Sequence, residues 1–195
     1  GEGGSGKTTA VNMISRLIDV SSGQITLNGQ DITHLRGKNL HQVYKTMQMV
    51  FQTPTDSFDP RRTLGDGIGE SLRNAGFSKK TARERVETLL EKCGLPKEFA
   101  DRYPHQVSGG QCQRAAIARA LVTEPALILA DEPTGNLDSH SGEEIMHILD
   151  ELHDGGHTLV VITHSEQVAA RAGRRLRVQD GRVYGGQEGC ICRMP

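Results

Sequence analysis

The sequence predicts a layered α/β domain, a mostly parallel sheet into which an all-α segment is inserted. Three observations predict it. A glycine-rich loop runs directly into a helix-period pattern at the start of the chain. Two short apolar runs, Ala126 to Ala130 and Leu159 to Ile162, end on polar residues, as strands buried in a parallel sheet do. Between the early strands and these runs, the stretch from Thr63 to about Val122 is helical in pattern. The 195 residues fit one domain, with residues 1–60 and 122–195 as the α/β core and 61–121 as a helical subdomain.

The elements follow in order. Behind the loop, Ala10, Val11, Ile14, Leu17 and Ile18 recur at helical spacing until a stop near Asp19. Gln24 to Leu27 and Gln30 to Ile32 flank Asn28-Gly29, a dipeptide that tolerates positive φ and so predicts a two-residue hairpin. Met47, Met49 and Phe51 alternate with Gln48 and Val50, a half-buried strand ending at Gln52, and the methionines read as core. Leu64, Ile68 and Leu72 are spaced by four. Ala82, Val86, Leu89, Leu90 and Cys93 follow the N-cap candidate Ser78 and stop at Gly94 and Pro96. A third helix runs from Gly110 through Ala115, Ala116, Ala118 and Leu121. After the buried run at Ala126, a helix starting at Ser139 or Ser141 carries Ile145, Ile148, Leu149 and Leu152 and closes at Gly155-Gly156. Leu159 to Ile162 is a second buried strand, and the tail pairs Leu176 and Val178 with Val183 across Asp180-Gly181.

Composition excludes several classes. Lys and Arg number 23 against 24 Asp and Glu, so the strong positive field of a nucleic-acid binder is missing and no nucleic-acid partner is expected. The apolar runs are far too short to span a bilayer. Four irregularly spaced cysteines, with Cys93 on an apolar face and Cys190 and Cys192 in a polar tail, form neither a disulfide framework nor a zinc site, which predicts a reducing, cytoplasmic setting. Arg171, Arg174, Arg175 and Arg177 read as a solvated surface. The chain opens at Gly1 inside its loop, without Met or a strand ahead, and reads as N-terminally truncated.

Gly1-Glu2-Gly3-Gly4-Ser5-Gly6-Lys7-Thr8 fits G-x-x-x-x-G-K-S/T, in which backbone N–H groups and a helix N-terminus hold phosphate oxygens. Lys7 then faces the β- and γ-phosphates, the Thr8 hydroxyl is a Mg²⁺ ligand, and Thr9 reaches a further phosphate oxygen. The same stretch satisfies G-x-G-x-x-G through Gly1, Gly3 and Gly6. That dinucleotide reading lacks the ribose-binding acid after the next strand and leaves Lys7-Thr8 unexplained. The buried strand at Ala126 delivers Asp131 and Glu132 to its C-terminal end, one suited to the metal and the other to polarising a water; the bland alternative is an N-cap pair. His164 ends the next strand and is expected on the same rim, and Gln52, also just past a strand, is the fourth candidate on that edge. Ser108-Gly109-Gly110-Gln111 is a second anion nest at a helix start, and a two-fold dimer in which each nest covers the other chain's nucleotide explains why there are two.

Over its whole length the sequence resembles the ATP-binding subunits of ABC transporters. Gly1 to Thr9 is similar to their Walker A loop, Gln52 to the Q-loop glutamine, Val107-Ser108-Gly109-Gly110-Gln111 to the signature, and Leu127 to Glu132 to the Walker B strand. Asn136-Leu137-Asp138 resembles the D-loop and His164 the switch histidine. The resemblance implies a P-loop ATPase that binds ATP and Mg²⁺, with Glu132 as general base, Gln52 and His164 assisting, and a second ATPase subunit completing the sandwich. It also implies permease subunits and a peripheral place on the cytoplasmic face of the membrane. Met47 to Gln52, Ser57 to Arg61 and Arg102 to Gln106 resemble the oligopeptide, dipeptide and nickel importers, which adds a solute-binding protein. Gly135 to Asp138 and Val168 to Ala172 resemble instead lipoprotein-release and macrolide-export ATPases. A soluble ABC ATPase acting on nucleic acid is the remaining alternative, and the balanced charge and short helical insert count against it.

Overall fold

The computed structural model describes residues 7–179 and 182–185. Helix α1, Lys7–Ile14, is shorter than its apolar spacing predicts. Arg16 stops it by taking a left-handed φ of 60° and burying its guanidinium, which donates to the carbonyls of Ile32 at 3.1 Å and Ile18 at 3.3 Å. Leu17 and Ile18 are in consequence exposed rather than packed. Strands β1, Thr26–Leu27, and β2, Gln30–Asp31, pair antiparallel across the expected turn, with φ of 50° at Asn28 and 76° at Gly29. Helix α2, Gly37–Thr46, is not among the expected elements; it is amphipathic, with Val43 buried and Leu40 packed beside it against the core that also holds Met47.

Strand β3, Met47–Val50, leads through a Pro-marked turn to α3, Leu64–Ile68, and α4, Glu70–Asn74. Helix α5, Lys79–Lys92, opens on Ser78, whose hydroxyl accepts from the Thr81 N–H at 3.1 Å. Ala82, Val86, Leu89 and Leu90 are buried as spaced, and so is Cys93 just beyond, where burial pushes the thiol up to about 12. Helix α6, Gly109–Leu121, precedes β4, Leu127–Asp131. Helix α7, Ser139–Asp154, is capped by Asp138 rather than by either serine. The Ser141 N–H and hydroxyl both donate to the Asp138 carboxylate, at 3.0 and 2.7 Å, and hold its pKa below the ordinary value. Strand β5, Thr158–Ile162, short helix α8, Glu166–Ala170, and the antiparallel pair β6, Leu176–Gln179, and β7, Arg182–Gly185, complete the described chain. The Asp180-Gly181 turn, Cys190 and Cys192 lie outside the described residues.

Strands β3, β4 and β5 form a parallel sheet with β4 in the centre, Val50 beside Ala130 and Asp131 beside Ile162. Alternation along β4 explains its unbroken apolar run. Leu127 and Leu129 enter one core with Val11, Ile32, Val43 and Met47, whereas Ile128 and Ala130 enter the other with Val50 and the buried faces of α3, α5, α6 and α7. Every β4 residue is buried. At about 1.5–3 kcal/mol for each fully buried large aliphatic side chain, these contacts hold the two layers to the sheet. Strand β3 is likewise buried on both faces, through Met47 and Val50, and is not the half-buried alternating strand expected. Strand β5 differs in the opposite sense: among the described residues it pairs only with β4, it is only half-buried, and Val160 is exposed. Arg171 leaves the expected solvated basic cluster to pair with Asp150 at 3.2 Å and with Glu143, fastening the end of α8 to α7.

Candidate functional site

Parallel pairing brings the predicted residues to one rim. Gln52 follows β3, Asp131 and Glu132 end β4, and Thr163 and His164 follow β5, all at the C-terminal edge where ligands of open α/β sheets bind. Glu132 extends the ladder by donating its N–H to the Ile162 carbonyl at 2.9 Å, then turns the chain outward with a φ of 45°. A left-handed backbone at a non-glycine residue is held only where its surroundings over-determine it, and such positions cluster at functional sites.

Gly1, Glu2, Gly3, Gly4, Ser5 and Gly6 lie outside the described residues, while Lys7, Thr8 and Thr9 form the first turn of α1. Lys7 Nζ stands 3.4 Å from His164 Nδ1. In this contact the Lys7 amine is the natural donor and Nδ1 the acceptor, which leaves Nε2 as the ring nitrogen facing Glu132. That Nε2 is 3.4 Å from Glu132 Oε1, in reach but not aligned as a hydrogen bond, since Oε1 is buried without a hydrogen-bond partner. Thr163 Oγ1 donates to the other carboxylate oxygen, Oε2, at 3.3 Å, and accepts from the Ser165 N–H at 3.0 Å. Lys7, His164, Glu132 and Thr163 thus stand in one polar row, in which the His164–Glu132 step is an approach and not a hydrogen bond.

Asp131 is 6% exposed, and its Oδ1 has no protein partner. A buried carboxylate oxygen left bare is costly in protein alone and fits a hard cation, with the Thr8 hydroxyl presented by the helix that packs on β4. No cluster of three or more His, Cys, Asp or Glu that could hold a metal occurs among the described residues.

The second nest is built as a reciprocal cap. Ser108 Oγ accepts from the Gln111 N–H at 3.2 Å, and Gln111 Oε1 accepts from the Ser108 N–H at 3.0 Å. Ser108 and Gly109 are exposed, whereas Val107 packs against the main core and Gly110 is buried on α7. A Cβ at Gly110 would stand 2.9 Å from the Cβ and Oγ of Ser141, so this glycine is demanded by packing inside the chain as well as by any ligand. The D-loop residues share this neighbourhood, Asp138 through Ser141 and Leu137 beside Gly109. Asn136 links the two groups by donating from Nδ2 to the Gln52 carbonyl at 3.3 Å. The helices bearing the nests nevertheless lie on opposite faces of β4, α1 with Leu127 and Leu129 and α6 with Ile128 and Ala130.

Two contributors were not visible in the sequence. Thr163 gave no signal beyond its place before His164, and Gln113, buried on α6, donates from Nε2 to the Phe51 carbonyl at 3.3 Å next to Gln52.

Comparison with known proteins agrees with this geometry. The ABC transporter family profile matches residues 1–135. The macrolide export ATP-binding/permease protein MacB of Shigella flexneri is 42% identical over 184 residues, which are 94% of this chain and 28% of that protein. A relative in Sinorhizobium fredii, named "Probable peptide ABC transporter ATP-binding protein y4tS", is 41% identical over 180 residues, 91% of this chain and 51% of that one. The chain therefore spans between about a quarter and about half of the length of these relatives. Among solved structures, the ATP-binding cassette MJ0796, captured as a dimer in a post-hydrolysis state with ADP and Pi, superposes with a TM-score of 0.85 at 34% identity, covering 96% of this chain and 84% of that one. The parallel sheet, the acidic pair on its central strand and the agreement over residues 1–135 place the chain in the ABC transporter family, as its ATP-binding ATPase domain.

Proposed function

We propose that the chain hydrolyses ATP as one half of a two-subunit sandwich and that this hydrolysis drives a membrane permease. The observation that carries the reading is the row Lys7–His164–Glu132 at the sheet edge, beside the bare Asp131 oxygen. Gly1 to Thr9 hold the phosphates, and Lys7 supplies charge at the β- and γ-positions. Thr8, Asp131 and Gln52 would hold Mg²⁺, which would supply positive charge to neutralise the phosphates. Glu132 accepts the proton of the attacking water, and His164, with Nδ1 toward Lys7, offers Nε2–H to the γ-phosphate. Because the helices bearing the two nests lie on opposite sheet faces, Val107 to Gln111 serve the nucleotide of a second subunit. Residues 61–121 act as a helical subdomain of this one domain, with Asn136 to Asp138 between it and the rim.

For the transported solute, the export reading is the first. It is supported by the MacB relatives together with the segments Gly135 to Asp138 and Val168 to Ala172. Uptake of peptides or nickel with a solute-binding protein is the second, supported by the peptide-transporter relative and by Met47 to Gln52, Ser57 to Arg61 and Arg102 to Gln106. In either case the chain sits peripherally at the cytoplasmic face; no described helix is long and apolar enough to cross a membrane. The test is Glu132→Gln in the full chain. Phosphate release falls about 10²- to 10⁴-fold while binding of a fluorescent ATP analogue is kept, and unchanged turnover refutes the assignment.

A further inference from the structure

The two oxygens of Glu132 are not equivalent. Oε2 accepts the hydroxyl hydrogen of Thr163, and that hydroxyl is itself oriented, because its oxygen already accepts from the Ser165 N–H at 3.0 Å. Oε1 is buried and accepts no hydrogen bond. A carboxylate is free to rotate about its last torsion, a broad and roughly two-fold well, so something must decide which oxygen faces the reacting water. We propose that Thr163 is a positioning residue that anchors Oε2 of Glu132 and thereby makes Oε1 the oxygen that takes the proton of the attacking water.

The assignment rests on Glu132 being the general base, and it adds the atom and its control. In the step itself the water oxygen bonds to the γ-phosphorus, the bond from that phosphorus to the β,γ-bridging oxygen breaks, and the water's proton passes to Oε1, leaving Glu132 as the neutral acid. Thr163 transfers no proton. Its hydrogen bond to Oε2 holds the carboxylate plane and leaves Oε1, on the His164 side, as the oxygen with no hydrogen bond to give up. The neighbours on every side agree: Ser165 fixes the hydroxyl from the β5 end, the Ile162 carbonyl fixes the Glu132 backbone, and His164 Nε2 stands at 3.4 Å on the Oε1 side.

The test uses the full chain and Thr163→Val, which keeps the branched shape and removes the hydroxyl. Hydrogen bonds to charged groups are worth about 1.5–3 kcal/mol, so kcat for ATP falls about 10- to 100-fold while KM changes by less than about twofold. Thr163→Ser, which retains the hydroxyl, stays within about threefold of wild type. The deciding measurement is single-turnover hydrolysis in a Glu132→Gln background, where Thr163→Val has no further effect because the oxygen pair it orients is gone. Equal melting temperatures and fluorescent-nucleotide affinities for the wild type and both Thr163 variants establish that all are folded. A Thr163→Val enzyme with wild-type kcat overturns the positioning role, as does a loss that persists undiminished in the Glu132→Gln background. Full turnover by Glu132→Gln alone overturns instead the base assignment beneath it, and the two failures are told apart.

Discussion

Gln113 Nε2 donates to the carbonyl oxygen of Phe51 at 3.3 Å, which ties the second turn of the signature helix to the backbone one residue ahead of Gln52. Gln113 is 1% exposed, and its own Oε1 finds no partner. Gln113→Leu therefore removes one made bond and one bare acceptor together, and costs about 1 kcal/mol. Gln113→Glu places a carboxylate against a carbonyl and costs more. Urea denaturation should rank wild type above Leu above Glu; a Glu variant as stable as wild type contradicts the contact.

Lys7→Ala should act on binding before it acts on turnover. A charge-assisted contact worth about 1.5–3 kcal/mol raises the Kd for ATP by about 10- to 100-fold. Fluorescence titration checks it, and equal affinity for the two proteins counts against the phosphate-loop reading.

Ser108 has a local and a distant role that two substitutions separate. Ser108→Ala removes the oxygen that accepts from Gln111 and costs about 1 kcal/mol of stability, yet leaves the backbone donors in place, so ATP-induced dimerisation is retained. Ser108→Arg blocks those donors and abolishes dimerisation. Size-exclusion chromatography with Mg-free ATP in the Glu132→Gln background reads both, and a dimer formed by the Arg variant removes the role in trans.

Burial raises the thiols of Cys93 and Cys112 to about 12 and about 11, against 9 for a free cysteine. The folded chain keeps these protons, while the unfolded chain releases them near pH 9. Their contribution to stability is thus fully present below pH 9 and is lost as pH rises through about 11 to 12. The urea midpoint should drop between pH 8 and pH 10.5 less steeply in Cys93→Ala than in wild type. At pH 8 a thiol reagent should label both cysteines only after unfolding.

Much of this was legible because it depends on local rules. Asn28-Gly29 specified its turn, Ser78 its cap, and the spacing of Ala82 to Leu90 the buried face of its helix. The readings that missed depend on contacts distant in sequence. Arg16 ends α1 by reaching the Ile32 carbonyl, and no apolar period announces that. Helix α2 is the exception: Leu40, Val43 and Met47 stand at i, i+3 and i+7, a short apolar stripe that is present in the sequence itself. Leu159 to Ile162 reads as doubly buried, yet which strands it pairs with is a property of strand order and not of the strand. The rim residues could be expected from their places at strand ends, but the Thr163 contact to Glu132 joins positions 31 residues apart.

Strand β4, with Leu127 and Leu129 on one side and Ile128 and Ala130 on the other, is the shared wall of both cores. Neither core can open without exposing the strand that closes the other, so the two melt as a single cooperative unit. The backbone amides of Ile128 and Leu129 should accordingly be among the last to trade hydrogen with solvent, and the acid pair is carried at the end of that doubly buried strand.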